Sequence, residues 1–136
     1  MNSTQDALRQ FYSFLGDWKG SGQSFGSDIQ GTLSVDLRCQ KSFICLSERL
    51  FLPNGQLDYE DSAWVHWESS TKQLIVQHFS PGGQTQRLLM LGKKDSFRWW
   101  GGPLIPTVYY RLEESSLFID VKQDTDLLHH MHYRRL

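Results

Sequence analysis

The sequence predicts a mainly β protein: a ten-stranded, up-and-down antiparallel β-barrel with a short N-terminal helix. Three observations predict it. Apolar residues keep a near-four spacing only up to Leu15, and from Gly16 onward the period is two. Strong turn chemistry then interrupts the chain at short intervals, with Pro53-Asn54-Gly55-Gln56, Pro81-Gly82-Gly83, Gly92-Lys93-Lys94-Asp95 and Gln123-Asp124-Thr125-Asp126. The third observation is the stretch Leu15-Gly16-Asp17-Trp18-Lys19-Gly20-Ser21-Gly22. Glycines at alternate positions weaken a strand, so they belong where backbones approach closely or a strand bends at a barrel corner.

Taken in order, Ser3 or Thr4 caps a helix that places Ala7, Leu8, Phe11, Phe14 and Leu15 on one face, and Gly16 ends it. This helix lids one end of the barrel, and Trp18 plugs that end. Strands follow at 17–25, 31–39, 42–52, 57–68, 73–80, 84–91, 96–100, 106–112, 117–122 and 127–135. Consecutive strands joined by short turns make a meander, and closing it removes the exposed edges. A barrel of this size has room for a small ligand.

The chain has 136 residues, which is the size of one domain, 1–136. Fourteen basic residues against fifteen acidic ones leave a net charge of -1, so no footprint for nucleic acid or an anionic membrane is visible. No apolar run approaches a membrane span, and the first residues lack the pattern of a signal peptide, which makes the cytoplasm the expected location. Cys39 and Cys45 agree with it. A hairpin turn at Gln40-Lys41 sets Cys45 opposite Asp36 and roughly 10 Å from the level of Cys39, beyond disulfide reach.

Centring each hairpin on its turn gives a register test, because opposed residues share a face. Leu50 then opposes Tyr59, Glu48 opposes Asp61, Ala63 opposes His78 and His78 opposes Gln86. The same face continues through Leu88 with Trp99, Tyr110 with Ile119, Ile119 with His130 and Leu117 with His132. It is mostly apolar and is assigned to the interior. Its polar exceptions are Glu48, Asp61, His78, Gln86, His130 and His132, and function is expected there because buried polar groups need partners. Trp67, Trp99 and Tyr110 join them as aromatic lining of an apolar cavity. The opposite face still carries Phe43, Trp64, Ile75, Phe79, Leu89, Leu91, Trp100 and Met131, so either the outside makes a subunit contact or a register is wrong; Trp64, Ile75, Phe79, Leu89 and Trp100, on neighbouring strands, predict a homodimer.

Gly22-Gln23-Ser24-Phe25-Gly26 matches the Gly-x-Ser-x-Gly nucleophile elbow letter for letter. That motif needs a strand-to-helix turn, and here another strand follows. Cys39 and Cys45 have no second cysteine pair, so they read as small hydrophobes and not as a zinc site. No catalytic residue and no metal site is assigned.

The Gly-x-Trp-x-Gly-x-Gly run after a short amphipathic helix resembles the opening strand of the calycin group, the lipocalin and fatty-acid-binding-protein barrels. Within that group it is most similar to the nitrobindin-like haem proteins and related small bacterial barrel proteins. The resemblance implies a ligand-binding barrel without catalytic residues. The terminus His129-His130-Met131-His132-Tyr133-Arg134-Arg135 also resembles the histidine-rich last strand of the nitrobindin-like group, which implies haem b held by His130 or His132 and chemistry on nitrogen oxides or peroxynitrite. The leading expectation is a small hydrophobic ligand in the interior with no cofactor; haem is the second, and a filled barrel acting as a protein-interaction module is the third.

Overall fold

A computed structural model describes residues 4–136 of the chain. Among the described residues it is a closed antiparallel barrel of ten strands, each paired with its neighbour in the chain and the last returning to the first. The strands are β1 (Gly16–Ser24), β2 (Ser27–Arg38), β3 (Phe43–Phe51), β4 (Leu57–Glu68), β5 (Gln73–Ser80), β6 (Gln84–Lys93), β7 (Ser96–Trp100), β8 (Thr107–Glu113), β9 (Ser116–Gln123) and β10 (Asp126–Arg135). The meander topology is therefore as the turns predict.

The helix, α1 (Thr4–Arg9), is shorter than its apolar spacing suggests. After Arg9 the chain tightens into a 3-10 turn at Tyr12–Phe14, and Leu15 is already extended. Leu8, Phe11 and Phe14 are nonetheless fully covered. Three large side chains on one short segment are enough to seat it, because tertiary packing and not helix propensity holds such elements. The predicted cap at Ser3 lies outside the described residues.

α1 closes the barrel end that carries Trp18. The Trp18 indole is 0% exposed and donates from Nε1 to the Phe14 carbonyl at 3.0 Å. The Arg135 guanidinium lies 4.1 Å from its ring centroid and donates to the Ser13 and Leu15 carbonyls, so the last strand and the first turn are tied across the plug. Phe11 and Phe14 meet Phe97 edge-on, which continues this packed end toward β7. The spaced glycines serve β1–β10 closure: a Cβ on Gly20 or Gly22 would lie 2.0 or 1.8 Å from the carbonyl oxygen of His132 or His130.

The registers of β3 through β6 match expectation, with Glu48 opposite Asp61, Ala63 opposite His78 and His78 opposite Gln86. Trp99 pairs with Met90 in place of Leu88, a two-residue shift that leaves every side chain on its predicted face. β2 begins at Ser27, earlier than predicted, because Phe25 and Gly26 turn the chain by themselves with φ of 49° and 81°. Two residues with positive φ are the geometry of a tight hairpin whose twist suits its strands.

The last strand departs from expectation. Between Leu127 and His129 the β9–β10 register shifts by one residue, so His129 pairs with Val121 and Met131 with Ile119. An added residue in one strand is a bulge, and it reverses the facing of all that follows. The Leu128 carbonyl is satisfied by the Phe25 N–H at 2.8 Å. His129, Met131 and Tyr133 consequently point inward, and the inward assignment of His130 and His132 is corrected.

Candidate functional site

The barrel ends differ. Opposite the α1 plug, the turns after β1, β3, β5, β7 and β9 surround a mouth, and below it lies a cavity of about 440 Å³. Its walls are largely apolar, with Leu50, Trp99, Ile105, Val108, Ile119, Val121 and Leu128 among them. A larger, more open groove of about 710 Å³ crosses the outside of β1 to β5. An exposed Arg49–Glu60 ion pair at 3.1 Å spans part of it. The interior cavity is the better candidate because it combines apolar enclosure with convergent polar groups.

Those polar groups form one cluster. Glu48 and Asp61 are direct partners across β3 and β4, so two carboxyls face the same interior. Asp61 Oδ2 accepts from the Tyr59 hydroxyl at 3.1 Å and lies 2.8 Å from His78 Nε2. Glu48 Oε2 accepts from the Tyr133 hydroxyl at 2.7 Å, a bond between residues 85 positions apart. Gly31 makes it possible: a Cβ there would sit 2.4 Å from the Tyr133 oxygen.

The electrostatics follow from burial. Loss of water pushes the Glu48 carboxyl up to about 8, with the neighbouring Asp61 charge adding to the rise and the Tyr133 hydroxyl opposing it. At neutral pH Glu48 holds its proton. Tyr59, Tyr110 and Tyr133 are pushed above their ordinary range, first by burial and then by the nearby carboxyls, and stay neutral. Burial lowers His129, which keeps its imidazole neutral. The cavity thus offers phenols, a protonated acid and a carboxyl acceptor side by side.

Trp99 completes the wall. It is 3% exposed, its ring is 4.8 Å from Tyr110 and 6.1 Å from His78, and its buried Nε1–H has no hydrogen-bond partner. A buried donor without an acceptor costs about 1–3 kcal/mol.

Of the expected site residues, Glu48, Asp61, His78, Gln86, Trp99 and Tyr110 all line this cavity. Trp67 is on the inner face opposite Leu74 but is not part of the lining, because it sits toward the plugged end. His130 and His132 lie on the outer face. The His130 ring nitrogen Nδ1 is 2.5 Å from Asp120 Oδ1, and His132 Nε2 is 3.0 Å from Ser116 Oγ, with Phe118 stacked on the His132 ring. The imidazole and the phenol that the bulge turns inward are His129 and Tyr133. Sequence reasoning missed both, since Leu128 carries no glycine or other visible mark of a bulge.

The haem reading loses its two named ligands in this way. His129 lines the cavity and could face an iron, but haem also carries two carboxylates. Glu48, Asp58 and Asp61 line the cavity, and among the described residues no Lys or Arg does. The residues present do not fit haem. Ser24 ends β1 and is followed by a hairpin, so the elbow match has no strand-to-helix turn.

No helix among the described residues is long and apolar enough to cross a membrane. No protein-family model matches the chain, and no curated protein sequence matches it.

Proposed function

We propose that this chain is a calycin-like binding protein whose interior holds a small, mainly apolar molecule with one polar head. The observation that carries the reading is the cavity of about 440 Å³, largely apolar in its walls and lined at one side by Glu48, Asp61 and His78, with Tyr133 hydrogen-bonded to Glu48. Close-packed interiors contain few voids larger than a water molecule, so this volume favours a ligand over a filled interaction barrel. The role is binding and not catalysis: the cluster sets donors and acceptors in place without a nucleophile beside a base. Cys39 and Cys45 are free thiols, which supports a reducing, cytoplasmic setting.

The neutral fluorophore N-phenyl-1-naphthylamine tests the proposal. Saturable enhancement with the wild-type protein is expected, and Val108→Trp, which fills the cavity from β8, should weaken it about tenfold or more. Equal binding by both proteins would refute an interior site.

A further inference from the structure

Resting on that reading, we propose that the polar head is an organic cation, a protonated amine, held against Asp61 and Glu48 with its apolar body between Trp99, Tyr110 and Val121.

The charge set is one-sided. Glu48, Asp58 and Asp61 line the cavity, and among the described residues no Lys or Arg answers them. An anionic head would set a like charge beside Asp61 in a desolvated wall and is selected against. A neutral hydroxyl head would be tolerated but makes only neutral hydrogen bonds to Asp61, which already accepts from Tyr59 and lies against His78. A cation adds a charge-assisted hydrogen bond to that carboxyl, about twice as strong as a neutral one.

The rings around the pair point the same way. The walls beside the pair are aromatic: Tyr59 reaches Asp61, and the Trp99 and Tyr110 rings stand 4.8 Å apart. Electron-rich ring faces attract a desolvated cation. Glu48 lines the cavity beside Asp61, its strand partner.

Three probes with one body isolate the head: 2-phenoxyethylamine, 2-phenoxyethanol and phenoxyacetate, titrated calorimetrically at pH 7.5. The amine should bind about tenfold or more tighter than the alcohol, and phenoxyacetate should give no heat. Asp61→Asn preserves an acceptor for Tyr59 and should bring the amine-to-alcohol ratio near one while alcohol affinity holds. Should that variant fail to fold, Glu48→Gln, which keeps an acceptor for Tyr133, should lower the same ratio. Alcohol or carboxylate binding as tightly as the amine would overturn the cation while leaving the cavity reading intact. The same holds if none of the three binds but N-phenyl-1-naphthylamine does. If that fluorophore also fails, the cavity reading falls and takes the cation with it.

Discussion

Glu48 is the residue on which the interior chemistry turns, and its proton makes a stability claim. Its folded-state pKa of about 8 lies above the ordinary 4.5, so folding holds the proton more tightly than the unfolded chain does. That contribution is fully present below the unfolded value and is lost as pH rises through the folded one. His129 acts with the opposite sign: burial lowers its pKa, and its contribution is lost as pH falls below about 6.5. Between pH 6.5 and 8.5 only the Glu48 contribution of the two therefore changes. Glu48→Gln, measured by urea unfolding across that window, should flatten the decline and leave the variant more stable than wild type at pH 8.5, by on the order of a few kcal/mol. Parallel curves for the two proteins would show that Glu48 is not held protonated. The pairing behind this was legible, since centring the Asn54-Gly55 turn sets Glu48 against Asp61. Its completion by Tyr133 was not, because that contact spans the closure of the barrel and depends on the small size of Gly31.

At the scale of elements, the strands follow from alternation and turn residues, which act locally and leave marks in the sequence. The helix and the last strand were misjudged for different reasons. Apolar spacing marks the face of α1 but not its length, and three anchored aromatic or aliphatic side chains replace the missing turns of helix. β10 keeps its alternation, yet one residue at Leu128 reverses it relative to β9, and a bulge stabilised by the Phe25 N–H has no compositional signature. The consequence is testable through the histidines that changed sides. Removing His78, whose Nε2 lies 2.8 Å from Asp61 Oδ2 and holds that carboxyl in the cavity wall, should weaken binding of 2-phenoxyethylamine by about 1–3 kcal/mol. His130→Ala with His132→Ala changes only outer-face contacts and should leave calorimetric affinity within about twofold. Loss of binding in the double variant, with His78→Ala neutral, would place the site on the other face.

For the whole molecule, one end is packed shut and the other hollow, so stability and binding are assigned to opposite ends of one barrel. Its outside was expected to be more apolar than it is. Met131 turns inward with the bulge, and Ile75 is covered at 0% exposure, with His66 and Leu89 as its strand neighbours and Phe43 against Trp64 nearby. Phe79 and Trp100 remain exposed, at 44% and 41%. We propose that this face still pairs two copies, and sedimentation velocity at high protein concentration should show a dimer that Trp100→Glu dissociates; a single monomer boundary would contradict the pairing. The central claim, an interior ligand, is tested most directly by the indole N–H resonances during titration with N-phenyl-1-naphthylamine. Trp99 has an unpartnered Nε1–H in the cavity wall, whereas Trp18 donates to Phe14 at the plugged end. The Trp99 resonance should shift progressively with probe while that of Trp18 stays fixed. Movement of the outer Trp64 or Trp100 signals with Trp99 unchanged would contradict an interior site.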